Sequence, residues 1–296
     1  MSNIIEVKGL SYVYNPGMPD ETTALEDVSF AIEQGDFVGI IGSTGSGKST
    51  MISHLNGLLK PTAGKIYVDG RDIWEKPEDI RQVRFQVGLV MQYPEYQLFE
   101  ETCYKDIAFG PHNMGLDEQE IDRRVHEACR FTGLPEEYLQ RSPFELSGGQ
   151  KRRVALAGVL AMEPRVLVLD EPAAGLDPEG RDMILSQIQE FHKKTGTTVL
   201  LVSHSMEDIA KYANKVIVMT QKKIVMYDQV EKVFARAPEL LELGLSVPQV
   251  TKVFLRLREL GLPLRTDVYT VPFAVKTVLE ALAARKAEQK GGEAEC

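Results

Sequence analysis

The sequence predicts an α/β fold: a mostly parallel sheet with an antiparallel β portion, an inserted helical subdomain and a small C-terminal helical domain. Three short apolar runs read as buried strands: FVGII at 37–41, RVLVLD at 165–170 and TTVLLVSH at 197–204. Helical sequence follows each run, and this alternation is typical of parallel sheets covered by helices. The stretch from about 112 to 162 has helical periodicity and no strand signal, so residues 93–162 are expected to contain the inserted helical subdomain.

The N-terminal segment alternates apolar and polar residues. The alternation runs through IIEVKGLSYVY at 4–14 and ALEDVSFAIEQGD at 24–36, with the turn-rich NPGMPDETT between them. A period of two is the pattern of a half-buried strand, so this part is expected to form the antiparallel portion. With the parallel core it makes up a predicted domain at 1–235.

After about residue 235 the character of the sequence changes. SVPQVTKV at 246–253 is echoed by TVPFAVKTV at 270–278, and in each a Ser or Thr can cap a helix whose first turn contains a proline. Residues 236–290 are therefore expected to form a small helical domain. The tail ARKAEQKGGEAEC has no apolar periodicity, and residues 291–296 are expected to be disordered.

Bulk composition excludes several classes of protein. The chain has 43% hydrophobic and 26% charged residues, which is ordinary for a globular protein. No apolar run approaches about 18 residues, and the first residues lack the features of a secretory signal, so neither a membrane span nor a signal peptide is expected. A net charge of −9 disfavours nucleic acid as a partner. Cys103, Cys129 and Cys296 have no metal-ligand spacing and are expected to be reduced thiols.

The stretch GSTGSGKS at 42–49 fits G-x-x-x-x-G-K-[ST] and lies between a predicted strand and a predicted helix. Glycines let successive backbone N–H groups point inward, and a helix N-terminus adds its positive dipole end, so this loop is expected to cradle phosphates. Lys48 is expected to reach the β- and γ-phosphates, and the Ser49 hydroxyl to bind Mg²⁺. The candidate phosphate-binding residues are Gly42, Ser43, Thr44, Gly45, Ser46, Gly47, Lys48, Ser49 and Thr50.

A second motif, VLVLDEP, ends a buried strand with two acids. Asp170 is expected to hold the magnesium ion, and Glu171 to orient and polarise an attacking water. An acid pair after a strand is more often solvated loop charge. The phosphate loop upstream favours the catalytic interpretation here.

The pentapeptide LSGGQ at 146–150 precedes the helical sequence KRRVALAGVLA. With it the sequence resembles the ATP-binding-cassette (ABC) ATPases, which are P-loop NTPases, over roughly residues 3–235. The resemblance implies that Tyr14 stacks on adenine, that Gln92 contacts Mg²⁺ and the γ-phosphate, and that His204 is the switch histidine. It also implies that AGLD at 174–177 is the D-loop. The further candidate nucleotide-binding residues are Ser147, Gly148, Gly149, Gln150 and Asp177.

The resemblance also implies how such a site works. In this family LSGGQ caps the ATP held by the phosphate loop of a second subunit, so catalysis requires a dimer, and with one cassette here the partner is another chain. Chromosome-maintenance relatives carry a long coiled coil between the phosphate loop and the acid pair, and ribosome-acting relatives carry two cassettes; neither feature is found in this sequence. A non-catalytic regulator would be expected to lack Glu171 or His204, and both are present.

The stretch QYPEYQLFEETCYKDIAFGP at 92–111 carries five aromatic residues. It resembles the same region of the ATPases of energy-coupling factor (ECF) transporters, which import vitamins and transition-metal ions in prokaryotes. ELLELGLSVPQVTKVFLRLRELGL at 239–262 is similar to the region beyond the cassette in those ATPases. The resemblance is nearer the A-prime type, which typically pairs with a related A subunit. Cys103 and Ala173 depart from the family pattern without removing a group that the chemistry needs.

This second resemblance implies the partners. They are a second ABC ATPase subunit (a related A subunit in a heterodimer, or a second copy in a homodimer), a transmembrane coupling subunit that docks near Tyr93–Phe99, and indirectly a substrate-binding membrane subunit. Tyr93, Tyr96 and Phe99 beside Glu95, Glu100 and Glu101 are expected to form a groove for a helix with arginines, whereas Phe109 fits a core position equally well. The chain would lie peripherally on the cytoplasmic face of a prokaryotic membrane. The alternatives are the ATPase of a different ABC importer and a soluble ABC ATPase without a transport role.

Overall fold

The structure is a computed structural model that describes residues 2–292. The strands are β1 (Asn3–Tyr14), β2 (Thr22–Glu33), β3 (Phe37–Gly42), β4 (Ala63–Val68), β5 (Arg71–Asp72), β6 (Val87–Val90), β7 (Val166–Asp170), β8 (Thr198–Val202), β9 (Lys215–Thr220) and β10 (Lys223–Gln229). The helices are α1 (Lys48–Leu55), α2 (Ile80–Gln86), α3 (Cys103–Asn113), α4 (Glu118–Thr132), α5 (Gly148–Leu160), α6 (Pro178–Thr195), α7 (Met206–Tyr212), α8 (Val230–Ala235), α9 (Ala237–Glu242), α10 (Gln249–Glu259) and α11 (Val271–Gly292).

A six-stranded sheet forms the centre of the fold, in the order β10-β9-β3-β8-β7-β6. All neighbouring pairs are parallel except β9 and β10, which are antiparallel. The three strands predicted from the sequence lie side by side as β3, β8 and β7, so the α/β class with a mostly parallel sheet is confirmed. Because the carboxyl ends of parallel strands meet at one edge, the phosphate loop after β3 and the acids after β7 are brought together there.

The antiparallel portion is a second sheet, in the order β2-β1-β4-β5. β1 and β2 pair antiparallel from Asn3 with Glu33 to Tyr14 with Thr22, as the alternating pattern predicted. Tyr14 therefore lies at the end of a long strand whose position is set by pairing on both sides, with β2 and β4.

The central strands divide their side chains between two hydrophobic cores. In β7, Val166 and Val168 pack with the antiparallel sheet and α1, whereas Leu167 and Leu169 pack with helices on the opposite face. β8 shows the same alternation. Since successive side chains of a strand point to opposite faces, a continuous apolar run is what a sheet covered on both sides requires.

Helices α3, α4 and α5 form a packed group within residues 93–162, where the sequence predicted a helical subdomain. Each helix begins at a side-chain cap: Thr102 accepts from the Lys105 amide, Asp117 from the Glu120 amide and Ser147 from the Gln150 amide. Such caps satisfy amide groups that a helix leaves without an internal partner.

The region after residue 235 is helical and has a small core of its own. Phe254, Val268 and Ala274 pack together, and the Thr251 hydroxyl donates to the Val268 carbonyl at 2.7 Å. Tyr269 stacks against Phe234 of α8 and so joins this core to the main domain.

The sequence predicts a disordered tail at residues 291–296. In the structure residues 291 and 292 form the end of α11, which runs to Gly292, and the disorder of the tail stays a prediction. Residues 293–296 of the same prediction lie outside the described residues.

Candidate active site

The loop between β3 and α1 is shaped by glycines. Gly47 caps α1 with a left-handed backbone (φ +99°), and a Cβ there would lie 2.6 Å from the Ala24 carbonyl oxygen. A Cβ on Gly42 would lie 2.3 Å from the Met219 carbonyl oxygen. The loop therefore passes too close to the neighbouring strands for any side chain at these positions, and its backbone amides surround the start of a helix, which is a geometry suited to phosphate.

Lys48 is buried at the base of this loop. Its Nζ donates to the carbonyl oxygens of Gly42 at 2.8 Å and Ser43 at 3.0 Å. Burial lowers the pKa of Lys48, while the nearby Glu171 and Asp170 carboxylates oppose that shift. The neutral carbonyl oxygens thus hold the ammonium group in the loop. Phosphate oxygens of a bound nucleotide can replace them.

Two acids stand at the end of β7 at the same edge: Asp170 is its last residue and Glu171 follows it. Burial raises the pKa of Asp170, against the opposing effects of Ser49 and Lys48. Burial, and then the charge of Asp170, raise the pKa of Glu171 to about 7. Such a value suits a group that must accept a proton near neutral pH.

Glu171 is held in an unusual position. It has a left-handed backbone (φ 51°), and its amide donates to the Val202 carbonyl of β8 at 3.1 Å. Its Oε1 is buried without a hydrogen-bond partner among the described residues, and His204 Nε2 lies 3.6 Å away. Strained backbone and an unsatisfied buried carboxylate are features of functional sites, because the rest of the fold has to hold them in place.

These groups line one cleft of about 260 Å³. Gln92 reaches it from the loop after β6, and His204 from the loop after β8. The structure thus brings together candidate residues from four separate segments of the sequence. The predicted residues that line the cleft are Thr44, Gly45, Gly47, Lys48, Ser49, Thr50, Gln92, Asp170, Glu171 and His204.

Tyr14 lies beside the first turn of α1. Its hydroxyl is 3.2 Å from the Thr50 hydroxyl, and its side chain is partly exposed. An aromatic ring in this position can present a face to a base whose phosphates occupy the neighbouring loop.

The LSGGQ residues and Asp177 do not line this cleft. Ser147 caps α5 in a reciprocal capping box with Gln150, and in the first turn of α5 Gly148 is exposed and Gly149 half-buried. Asp177 caps α6 by accepting from the Gly180 amide at 2.7 Å. A Cβ on Gly148 or Gly149 would meet nothing within 4 Å, so nothing in this chain alone requires glycine at either position.

The donor set fits a magnesium ion. Ser49, Gln92 and Asp170 offer a hydroxyl, an amide and a carboxylate oxygen in the cleft, which are the hard ligands Mg²⁺ prefers. Within residues 2–292 there is no group of three His, Cys, Asp or Glu residues able to bind a metal. Magnesium commonly binds through one or two protein oxygens, water and substrate phosphates, so the small protein share is expected.

One important residue was not found from the sequence, and a second was assigned a different role. Arg152 of α5 is almost fully buried and donates to Glu95 from two nitrogens, at 3.0 and 2.7 Å, and to the Ala174 carbonyl at 2.6 Å. Glu95 was expected to face a partner protein, but it points inward to this arginine. The sequence marks Arg152 only as the second basic residue after LSGGQ. Its partner Glu95 lies 57 residues away.

Comparison with known proteins identifies the family. The ABC transporter family profile matches residues 25–174. The energy-coupling factor transporter ATP-binding protein EcfA2 of Caldanaerobacter subterraneus subsp. tengcongensis is 54% identical over 95% of this chain and 99% of its own length. The chain belongs to the ECF transporter ATP-binding proteins. The EcfA2 protein of Clostridium acetobutylicum is similar at 52% identity, with 95% of this chain and 99% of that protein covered.

Solved structures agree with this ECF assignment. CbiO1 of Clostridium perfringens, described as part of the ABC transporter complex CbiONQ, matches with a TM-score of 0.73 and 38% identity over 88% of this chain and 98% of its own. The cassette MJ0796, solved as a dimer with ADP and Pi after hydrolysis, matches with a TM-score of 0.69 and 27% identity over 76% and 98%. The predicted ABC fold, the ECF resemblance and the ATPase assignment are confirmed. None of the helices described here has the length and apolar character to cross a membrane.

Proposed function

We propose that this chain binds and hydrolyses ATP to energise an ECF-type membrane importer of vitamins or transition-metal ions, with ATP-driven closure of an ATPase dimer moving the membrane subunit. The observation that carries this proposal is the cleft that joins the phosphate loop, the acid pair, Gln92 and His204 in a chain whose LSGGQ residues lie outside it. One chain then carries half of each of two ATP sites. A complete site therefore requires two chains.

Within the cleft each side chain has a distinct role. Lys48 leaves its carbonyl partners to bind the β- and γ-phosphates, and the loop amides neutralise the remaining charge. Glu171 takes a proton from the attacking water, and His204, 3.6 Å from it, contacts the γ-phosphate side of the site. Ser49, Asp170 and Gln92 would hold Mg²⁺, which supplies neutralisation of the charge developing on the β- and γ-phosphates.

The second chain completes the site. The first turn of α5 presents Ser147 and two glycines with open space around them, so a second chain's γ-phosphate can approach their amides closely. We assign Gln150 and Asp177 to the same contact with the second chain. A related A subunit in a heterodimer is the partner we favour, and a homodimer is the alternative.

The membrane partner would dock on the aromatic segment after Gln92. Tyr96 is 85% and Phe99 58% exposed, and Phe99 packs edge-to-face on Phe109, which is itself exposed. Exposed aromatics in a continuous patch are typical of a protein interface. Glu100, which is half-buried, and Glu101, which is exposed, border the patch, and their charge suits a partner helix that carries arginines.

This arrangement implies a peripheral location on the cytoplasmic face of a prokaryotic membrane, with the substrate-binding membrane subunit contacted only through the coupling subunit. A different ABC importer would use the same ATP chemistry. The 54% identity to an ECF ATP-binding protein over nearly its whole length favours the ECF importer, and also disfavours a soluble ABC ATPase without a transport role.

The test uses the membrane complex that co-purifies with the tagged chain from cells. The Glu171→Gln variant is expected to retain ATP binding and to lose hydrolysis, because the amide cannot accept the proton. Unchanged turnover would refute the catalytic assignment. Mass spectrometry of the co-eluting subunits identifies the transporter class, and finding no membrane subunit would refute the transport role.

Docking is tested separately with Tyr96→Ala combined with Phe99→Ala. This double variant is expected to lose the membrane subunits during purification and to bind ATP normally. Val225→Ala, an exposed apolar residue of β10, serves as the matched control and is expected to leave the complex intact. Unaltered assembly of the double variant would show that the patch is not the docking surface.

A further inference from the structure

We propose that His54 is a positioning residue that holds the adenine-stacking side chain Tyr14 in place, acting through Tyr12. This inference rests on the proposed function, in which Tyr14 stacks on the adenine of bound ATP. His54 lies one turn after Thr50 on α1, the helix that begins at the phosphate loop.

Three aromatic rings stand in a row between α1 and the exposed end of β1. Tyr12 and Tyr14 are two residues apart on β1, so they share a face of the strand. Their ring centroids are 4.8 Å apart with an interplanar angle of 87°. The His54 ring in turn lies 4.6 Å from Tyr12 at 74°. Both are edge-to-face pairs, which are directional contacts that fix the orientation of one ring against the next.

Thr50 contacts the residues at both ends of this row of rings. The Tyr14 hydroxyl is 3.2 Å from Thr50 Oγ1, and His54 Nδ1 is 2.7 Å from the Thr50 carbonyl oxygen. Thr50 directly follows Ser49 of the phosphate loop. Tyr14 is therefore held at its hydroxyl end by Thr50 and at its ring by Tyr12, and both constraints lead back to the same helix turn.

His54 is an unusual choice for its surroundings. Its side chain is 0% exposed, and burial lowers its pKa, so the ring is neutral at physiological pH. Because Thr50 O is an acceptor, Nδ1 carries the proton, and the buried Nε2 has no hydrogen-bond partner within residues 2–292. A leucine would fill this space without burying an unsatisfied nitrogen. What the histidine adds is a flat ring whose rotation is fixed by the bond to Thr50.

The consequence is a link between the two ends of the bound nucleotide. The helix that presents its N-terminus to the phosphates also sets, through His54 and Tyr12, the position of the ring that meets the base. Loosening this link should weaken the base contact and leave the phosphate contacts unchanged. His54 would therefore favour a nucleotide over inorganic phosphates of the same charge.

The test measures binding of ADP and of inorganic pyrophosphate to the full-length chain by displacement of a fluorescent nucleotide. His54→Leu is expected to raise the Kd for ADP by about three- to tenfold, the effect of one lost aromatic pair. The Kd for pyrophosphate is expected to stay unchanged. His54→Phe restores a flat ring without the bond to Thr50, and its Kd for ADP is expected to fall between those of His54→Leu and the wild type. In the assembled complex, KM for ATP should rise while kcat is retained.

His192 provides a matched control. Its Nδ1 also lies near a backbone carbonyl, that of Thr197 at 2.8 Å, and its ring packs edge-to-face on Phe37 at 5.4 Å. It is remote from the cleft, at the opposite end of β3 from the phosphate loop. His192→Leu is expected to affect stability as His54→Leu does, without changing the selectivity between ADP and pyrophosphate.

Tyr14→Ala separates failure of this inference from failure of the proposed function. If Tyr14→Ala leaves ADP binding unchanged, the adenine role of Tyr14 is wrong. If it weakens ADP binding by about tenfold while His54→Leu has no effect, or lowers both affinities equally, the role of His54 is overturned. In the double variant, His54→Leu should add nothing to Tyr14→Ala. Should His54→Leu fail to fold, Tyr12→Leu tests the same link.

Discussion

Arg152 offers the sharpest test of how this fold is held together. Its side chain is only 5% exposed, and its guanidinium bonds to Glu95, to the Ala174 carbonyl at 2.6 Å and, more weakly, to the Pro172 carbonyl at 3.4 Å. One side chain of α5 thus joins the segment after Gln92 to the loop that follows Glu171. We predict that Arg152→Met destabilises the chain and lowers ATPase activity together.

The size of the effect follows from burial. Methionine keeps much of the volume of arginine but leaves the Glu95 carboxylate without its partner. Removing one partner of a buried ion pair costs about 3–5 kcal/mol. For a chain of this size that lowers the Tm by about 6–15 °C. Arg130→Met, an exposed arginine of α4, is the control and is expected to change stability by no more than about 0.5 kcal/mol.

The pH dependence gives an independent check. In the wild type, burial acts to raise the pKa of Glu95, but the hydrogen bonds from Arg152, a backbone hydrogen bond and the charge of Arg152 together outweigh burial and hold the pKa below its usual 4.5. A lowered carboxyl pKa means that the pair stabilises the fold above the unfolded pKa, and that this stability is lost as pH falls through the folded pKa. Without Arg152, burial alone raises the pKa of Glu95, so the variant regains stability by protonating it. The difference between variant and wild type should therefore shrink between pH 8 and pH 5.

Urea unfolding at both pH values measures this difference. Adding Glu95→Gln to Arg152→Met is expected to recover part of the lost stability, because no charge is then buried alone. A double-mutant cycle over Glu95 and Arg152 gives the coupling directly. A loss below about 1 kcal/mol, or one that does not change with pH, would refute the view that this buried pair holds the two segments together.

Three further outcomes follow from the site. Gly149→Ala should stabilise the isolated chain by roughly 0.5–1 kcal/mol, as glycine-to-alanine changes in helices do, and yet abolish ATPase activity of the complex; normal activity would contradict the shared site. Lys48→Ala should weaken ATP binding by about ten- to hundredfold with an unchanged circular dichroism spectrum, and unweakened binding would remove Lys48 from the phosphate site. Burial raises the pKa of Cys103 to about 11 and of Cys129 to about 12, so in a Cys296→Ser variant neither should react with a thiol reagent at pH 8 until the protein is unfolded.

The parts of the site that could be predicted are those in which a short segment carries the whole signal. The phosphate loop needs glycines, a lysine and a helix start within eight residues, and each is legible locally. The acid pair can be recognised from the sequence because it comes at the end of an apolar run typical of a buried strand. Their meeting in space also follows, since parallel strands end at a common edge.

What could not be predicted depends on contacts between distant residues. β6 has only four residues, and its pairing with β7 is set by the whole sheet. Arg152 lies near the start of α5, where basic residues are normally solvated, and its partner Glu95 lies 57 residues earlier in the chain. His54 occupies an apolar position of α1, and its partner Tyr12 lies more than 40 residues upstream. Neither residue type nor spacing indicates such pairs.

The aromatic segment after Gln92 shows how a contact between distant residues bears on function. Within the 3-10 turn Pro94–Gln97, Glu95 points inward to Arg152 while Tyr96 is almost fully exposed. A partner that pushes on Tyr96 and Phe99 therefore acts on a turn fastened to α5, the helix that begins at LSGGQ. That connection does not pass through the phosphate loop. Docking on this face should accordingly change how α5 meets a second chain's ATP, and hence the rate of hydrolysis, while the affinity of this chain's own phosphate loop for nucleotide stays the same.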